Sequence, residues 1–153
     1  MISTILCRKI YSTHSRVQPF SKTWGSSRIL LDTHIFLWFI SGDIQLSTAL
    51  RDTIRDPDNE VYLSSVSVWE AILKYQLGKL PLPEPLAIYL PKQGDRHEID
   101  SLGLDENSVV QLAKLPPLHR DPFDRMLICQ ALQNGLTIAT VDTAIRAHSV
   151  PVM

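Results

Sequence analysis

From Arg28 to the C-terminus, short apolar runs alternate with segments of helical periodicity. This alternation is typical of an α/β domain whose central sheet is mainly parallel, because each helix carries the chain back to start the next strand. The sequence predicts about five strands flanked by helices. The predicted strands are residues 29–31, 61–64, 97–102, 136–141 and 150–152.

Local signals set the expected helix ends. Ser47 suits an N-cap for a helix over Thr48–Arg55, and Pro122 suits the first turn of a helix that Gly135 ends at Asn134. Ser67 and Glu70 have the spacing of a capping box. Three further helices are predicted over residues 33–40, 85–89 and 106–115.

Size and charge restrict the class of protein. At 153 residues, with 44% hydrophobic and 20% charged side chains, the chain suits one globular domain, which we expect over residues 28–153. Residues 1–31 carry five basic side chains and no acid, whereas residues 32–153 carry 10 basic and 16 acidic ones. This balance argues against a protein that binds nucleic acid through a basic surface alone.

The basic segment 1–27 is predicted to be a disordered leader or the product of a start codon assigned too far upstream. An organelle-targeting peptide has a similar composition. Two cysteines without metal-type spacing fit a reducing compartment, so a cytoplasmic protein is expected. Because no apolar stretch reaches transmembrane length, no membrane association is expected.

Four acids recur where predicted elements meet. Asp32 and Asp142 each follow a predicted strand, and Glu70 and Asp124 lie near the start of helices. Ligands of open α/β sheets bind outside the carboxyl ends of the strands, so this topology places all four at one edge. Carboxylates gathered there repel one another unless a cation lies between them.

Each acid also has a structural explanation. Asp32 and Asp142 could be helix N-caps, because both precede a threonine that opens a helix. Glu70 could complete its capping box or pair with Lys74 one turn later. Asp124 could support the helix dipole. The shared position at one edge favours a joint role over four separate ones.

A site of this composition suits few metal ions and few reactions. Hard oxygen ligands suit Mg²⁺ or Mn²⁺, and no His or Cys spacing indicates zinc. A divalent ion held by carboxylates usually acts on phosphates, where it activates water for an in-line displacement. Because the chain has no glycine-rich phosphate loop, hydrolysis of a phosphodiester is favoured over nucleotide-dependent reactions.

The motifs around the acids resemble a known family. They read Leu-Leu-Asp32-Thr-His, Ser-Val-Ser-Val-Trp-Glu70-Ala-Ile-Leu-Lys, His-Arg-Asp-Pro-Phe-Asp124-Arg-Met-Leu-Ile and Ile-Ala-Thr-Val-Asp142. In this order they resemble the PIN domain and, more narrowly, the VapC toxins of type II toxin–antitoxin systems, over about residues 28 to 153.

The resemblance implies a PIN-like fold and a Mg²⁺- or Mn²⁺-dependent endoribonuclease. It assigns catalysis and metal binding to Asp32, Glu70, Asp124 and, more variably, Asp142. Asp121 is a secondary metal ligand that would bind through water. The resemblance further implies an RNA substrate, a VapB-like antitoxin that covers the acidic groove, and a homodimer.

Several other side chains are candidates for binding the substrate. Lys74, Arg120 and Arg125 are placed to contact RNA phosphates, although each also suits an ordinary helix surface. His119 is a candidate RNA contact. The helical apolar pattern around Trp69 favours a core or dimer contact for that residue.

Two rival functions stay open. One is a PIN nuclease that processes RNA or DNA without an antitoxin. The other is a non-catalytic α/β binding module that keeps its acids for folding.

Overall fold

The computed structural model describes residues 26–118 and 120–153. The strands are β1 (Arg28–Leu31), β2 (Glu60–Ser64), β3 (Asp100–Leu102) and β4 (Thr137–Ala139). The α-helices are α1 (Thr33–Ser41), α2 (Thr48–Arg55), α3 (Ser65–Gln76), α4 (Leu86–Arg96), α5 (Glu106–Val110), α6 (Pro122–Asn134) and α7 (Thr143–Arg146). The predicted leader 1–27 lies outside the described residues except for its last two.

The strands form one parallel sheet in the order β3-β2-β1-β4. The predicted α/β class is therefore confirmed, and the expected fifth strand at 150–152 reduces to one parallel bridge between Val152 and Ile138. All four carboxyl ends lie at the same edge of this sheet. The Asp32 amide extends the ladder there by donating to the Ala139 carbonyl at 3.1 Å.

Both faces of the sheet are covered, which explains the unbroken apolar sequence of β1. Ile29 and Leu31 pack on one side with side chains from α1, α2 and α4. Leu30 points to the other side, into a cluster that includes Leu127 and Ile128 of α6. Strand β1 is thus held in the centre of the domain by contacts on both faces.

Helices whose ends carry strong local signals form as predicted. The Ser47 hydroxyl accepts from the Leu50 amide at 3.2 Å and caps α2. Gly42 and Gly135 end α1 and α6 with φ of 70° and 63°, a backbone region that glycine adopts at little cost. Pro122 occupies the first turn of α6 as expected.

The start of α3 corrects the predicted capping box. The helix begins at Ser65, directly after β2, and the Ser64 hydroxyl caps it by accepting from the Val66 amide at 3.0 Å. Ser67 therefore lies inside the helix, and Glu70 lies in its second turn rather than at its head. The helix dipole acts mainly within the first turn, so it contributes less to Glu70 than the sequence suggested.

The region between α3 and β3 also differs from prediction. Helix α4 continues through Pro91 to Arg96, well past the predicted end at residue 89. A proline inside a helix costs about 3 kcal/mol, and burial of Leu86 and Leu90 offsets that cost at roughly 1.5–3 kcal/mol each. Strand β3 is correspondingly shorter, because the chain turns at Glu98 with φ of 54° before pairing begins.

Two other elements are shorter than predicted. Helix α5 ends at Val110, and a 3₁₀ turn over Gln111–Ala113 replaces the rest of the expected helix. Strand β4 ends at Ala139, and the chain then turns toward α7, where the Thr140 hydroxyl accepts from the Asp142 amide at 3.0 Å. Within residues 26–118 and 120–153, no helix has the length and apolar character needed to cross a lipid bilayer.

Candidate functional site

Asp32 stands at the carboxyl end of the central strand. It occupies the N-cap position of α1, yet its side chain makes no capping hydrogen bond. Its Oδ2 instead accepts from the Thr140 hydroxyl at 2.7 Å, and the residue is only 3% exposed. The side chain thus forms no capping hydrogen bond, and the His34 backbone is only a minor influence that lowers the pKa of this carboxyl.

Thr140 links Asp32 to Asp142. Its buried hydroxyl donates to Asp32 and also accepts from the Asp142 amide at 3.0 Å. Sequence reasoning missed this residue. The available signal was its place directly after a strand that neighbours β1, inside the Ala-Thr-Val-Asp segment.

Glu70 reaches the same edge from α3. The Thr33 hydroxyl donates to its Oε2 at 2.6 Å, and the Lys74 ammonium lies 2.7 Å from its Oε1. The predicted pairing of Glu70 with Lys74 is confirmed. Because Thr33 directly follows Asp32 in the chain, its hydroxyl brings the carboxylate of Glu70 beside that of Asp32.

Asp32 and Glu70 influence each other electrostatically. Burial is the main factor that raises the pKa of Asp32, and the Glu70 carboxylate raises it further. The hydrogen bond from Thr140 and the nearby His34 act in the opposite direction and lower it. The net pKa lies above the ordinary value, so the ionised form of Asp32 is disfavoured when nothing positive is bound.

Asp142 behaves differently from Asp32. Its Oδ1 accepts from the Ala144 amide at 2.6 Å and from the Ile145 amide at 3.4 Å, which caps α7. The helix-cap explanation is confirmed here. Both capping bonds use the same oxygen.

Asp121 and Asp124 open α6. Asp121 is the N-cap, and its Oδ1 accepts from the Phe123 amide at 2.8 Å and the Asp124 amide at 3.4 Å. Asp124 is half-buried in the first turn, where the helix dipole favours its ionised form. The Phe123 and Trp69 rings pack edge to face, with their centroids 4.9 Å apart. Because Phe123 precedes Asp124 and Trp69 precedes Glu70, this contact brings the two acidic segments close together.

The predicted basic contacts are spread more widely. Lys74 lies within the acidic site, whereas Arg120 is exposed ahead of α6. Arg125 donates to the Pro116 carbonyl at 3.1 Å and braces the preceding loop. His119 lies outside the described residues. Trp69 is 57% exposed, so the core contact is excluded for it, and the dimer contact stays a prediction.

The donor set fits a hard divalent cation in chemistry, because the gathered groups are carboxylates. Among residues 26–118 and 120–153, however, no three carboxylate, His or Cys side chains are arranged as a ready metal shell. The oxygens of Asp32 and Glu70 are held by Thr140, Thr33 and Lys74. Of these partners, Lys74 is the one that carries a positive charge.

Comparison with known proteins places this chain in a family. The PIN domain model matches residues 29–150. Ribonuclease VapC16 of Mycobacterium tuberculosis is 42% identical over 55 residues, which cover 36% of this chain and 39% of that protein. Ribonuclease VapC22 of the same organism is 24% identical over 124 residues, which cover 80% of this chain and 93% of that protein.

Solved structures show the same fold. VapBC2 from Rickettsia felis, bound to a promoter DNA fragment, aligns with a TM-score of 0.63 at 15% identity, covering 82% of this chain and 97% of the other. VapBC-1 from nontypeable Haemophilus influenzae aligns with a TM-score of 0.59 at 17% identity, covering 82% and 96%. The family match spans most of the chain and agrees with its parallel sheet, and the chain belongs to the PIN domain family.

Proposed function

We propose that this protein is a Mg²⁺- or Mn²⁺-dependent endoribonuclease and the toxin of a type II toxin–antitoxin pair. The observation that carries the proposal is the meeting of Asp32 and Glu70, two buried carboxylates from separate elements, at the carboxyl edge of the sheet. Membership in the PIN family and similarity to two proteins named ribonucleases support the same activity.

Burial of the Asp32 carboxylate is costly, and the Lys74 ammonium offsets the charge only on the side of Glu70. Removing a carboxylate from water disfavours its charge, and two neighbouring carboxylates add mutual repulsion. Asp32 does not recover that cost by capping α1. A divalent ion bound between the acids reverses both penalties, which is why their burial favours a metal site over a merely structural role.

In the proposed mechanism, Asp32, Glu70, Asp124 and Asp142 hold the ion, with Asp121 as a secondary ligand. When bound, Mg²⁺ or Mn²⁺ lowers the pKa of a water molecule and stabilises the charge that develops on the phosphate. Thr140 and Thr33 orient the two buried carboxylates through their hydroxyls. Asp142 has the weakest claim, because its Oδ1 already caps α7.

We further propose that basic side chains contact the RNA backbone at this edge. Lys74 lies beside Glu70, and Arg120 is exposed just ahead of α6, so both can reach a phosphate of a bound strand. Arg125 and His119 complete the predicted set. Positive side chains that contact the backbone would bind RNA without reading its sequence.

An exposed apolar face on α3 supports a protein partner beside the site. Trp69 is 57% exposed and Leu77 is 68% exposed, and Ile72 and Leu73 lie between them on the helix. Apolar side chains grouped in this way commonly mark a protein interface. We assign this face to an antitoxin, and we propose a homodimer from the family resemblance, to be measured by light scattering after size-exclusion chromatography.

Cleavage of a labelled single-stranded RNA by purified protein tests the activity. We expect cleavage with Mg²⁺ or Mn²⁺, none with EDTA, and a loss of about a hundredfold or more in Glu70→Gln and Asp124→Asn. Asp52→Asn is the matched control, because Asp52 is an exposed acid on α2. Undiminished cleavage by both site variants would refute the assignment and favour a structural role for the acids.

Growth on expression separates the toxin from a processing nuclease. We expect growth arrest when the protein is expressed alone and relief when the neighbouring upstream reading frame is expressed with it. A Leu77→Ser variant should still arrest growth but escape relief, because Leu77 is 68% exposed and is the most exposed apolar side chain of the α3 face. Normal growth of cells that contain active, folded protein would exclude the toxin role and leave the processing nuclease.

A further inference from the structure

The Lys74 ammonium lies where a cation would balance the charge of Glu70 when no metal is bound. It lies 2.7 Å from Glu70 Oε1 and 3.3 Å from His34 Nε2. The Glu70 side chain is 9% exposed, whereas that of Lys74 is 30% exposed. The ammonium thus reaches from the rim into the acidic site and remains connected to solvent.

The Glu70 carboxylate is occupied on both sides. Its Oε2 accepts from Thr33, and its Oε1 carries the ion pair with Lys74. A short hydroxyl bond from a buried threonine fixes one oxygen. Of the two oxygens, Oε1 is the one whose partner is connected to solvent and can move away.

We propose that Lys74 is a resident counter-ion that a divalent metal must displace from Glu70. A Mg²⁺ ion bound to a carboxylate oxygen lies about 2.0–2.1 Å from it, so an ammonium on the same oxygen would remain within a few ångströms of a double positive charge. The repulsion drives Lys74 off Glu70 when the metal binds. Lys74 is thus a positioning residue that acts through Glu70, and this inference rests on the proposed metal-dependent function.

The exchange has a consequence for the substrate. Once displaced, the ammonium is released at an exposed rim beside His34, on a flexible four-carbon stem. There it can pair with a phosphate oxygen of RNA. Loading of the metal would therefore supply the cation that binds the substrate, so that RNA binds better after the metal than before it.

Binding of Mn²⁺ to purified full-length protein without RNA, followed by calorimetry and by the electron paramagnetic resonance of free Mn²⁺, tests the exchange. We expect Lys74→Met to bind Mn²⁺ about three- to fivefold more tightly than wild type, the size expected from removing one partly exposed ion pair. Lys79→Met is the matched control, because it removes the same charge from an exposed site just beyond α3. Lys74→Arg keeps the charge and should bind Mn²⁺ as wild type does.

The sign of the change decides between the explanations. If Lys74 only holds Glu70 in place for the metal, Lys74→Met will bind Mn²⁺ more weakly, and that result would overturn the exchange. An affinity equal to that of Lys79→Met would also overturn it, while metal-dependent cleavage by wild type would leave the proposed function intact. Absence of Mn²⁺ binding to wild type and to every variant would overturn both.

Thermal unfolding keeps the test decisive if Lys74→Met folds poorly. Without metal, this variant leaves Glu70 without its ammonium and should melt below wild type. Saturating Mn²⁺ should raise its melting temperature by more than it raises that of wild type or Lys79→Met. An equal rise in all three proteins would count against the exchange.

Discussion

Two Asp-Thr pairs, Asp32-Thr33 and Asp142-Thr143, occupy the same kind of position but use their carboxylates differently. Each pair follows a strand, and each threonine opens a helix. The Asp142 carboxylate caps its own helix. The Asp32 carboxylate leaves its helix uncapped and accepts a hydrogen bond from Thr140, which lies 108 residues away in sequence.

Position in the sheet explains the difference. Strand β1 lies between β2 and β4, so Asp32 emerges among side chains from several elements. Strand β4 is the last named strand of the sheet, with the Val152 bridge on its outer side, and Asp142 emerges beside its own helix and is half-buried. The Asp-Thr dipeptide therefore caps a helix at the edge of the sheet, as Asp142-Thr143, and places a carboxylate in the acidic site at its centre, as Asp32-Thr33.

The sharpest contrast is expected in catalysis. Asp32→Asn should lower the rate of RNA cleavage by about a hundredfold or more, because it removes a charged ligand from the centre of the proposed metal site. Asp142→Asn should lower it less than about tenfold, because asparagine caps a helix as well as aspartate does. Initial rates at saturating Mg²⁺ measure both. Equal losses of cleavage rate in the two variants would show that Asp32 and Asp142 do not differ in their role in catalysis.

Thr140 is the link between the two aspartates, so its removal should affect both. Thr140→Val should slow cleavage by about 10- to 100-fold, as loss of a group that orients a metal ligand does. It should also lower the free energy of unfolding by about 1–3 kcal/mol, because the buried Asp32 oxygen and Asp142 amide lose their partner. Cleavage rates and urea denaturation test these values, and Thr140→Ser should restore most of both. A fully active valine variant would show that the hydroxyl does not orient Asp32.

The cap at Asp142 can be isolated by comparing two substitutions. Asp142→Ala should lower the free energy of unfolding by about 0.5–2 kcal/mol, whereas Asp142→Asn should leave it nearly unchanged. Urea denaturation followed by circular dichroism measures the difference. If both variants lose the same stability, the charge of Asp142 matters more than its capping bonds.

The smallest expected effect concerns the metal-free protein. Burial raises the pKa of Asp32, so its ionised carboxyl lowers the stability of the fold at neutral pH, and that cost disappears as the pH falls towards the unfolded value. Asp32→Asn should therefore melt above wild type at pH 7 in EDTA, and the difference should narrow in acid. A variant that melts below wild type at pH 7 would show that the carboxylate stabilises the fold.

The sequence predicted the elements whose ends are fixed by their own residues. Helices α2 and α6 follow from Ser47, Pro122 and Gly135, and β1 follows from its apolar run. The start of α3 could not be read in the same way, because Ser64, Ser65 and Ser67 are all acceptable caps. Pairing of β2 with β3 extends to Ser64 and thereby decides the choice.

The four acids were recognisable, but their supporting contacts were not. The bonds Thr140–Asp32, Thr33–Glu70 and Lys74–His34 join residues 108, 37 and 40 positions apart. No local pattern encodes which hydroxyl or ammonium meets which carboxylate across such separations. The different partners of the two carboxylates, Thr140 for Asp32 and the helix amides for Asp142, followed only from the assembled sheet.

The amide of Asp32 has a consequence for how the site opens. This amide donates the last hydrogen bond between β1 and β4, to the Ala139 carbonyl. It directly follows β1, whose side chains are buried on both faces of the sheet. Such an amide exchanges its hydrogen with solvent only when the whole domain unfolds, whereas amides near exposed helix ends exchange through local fraying. Hydrogen exchange at this single position would therefore report the global stability of the protein from within the acidic site itself.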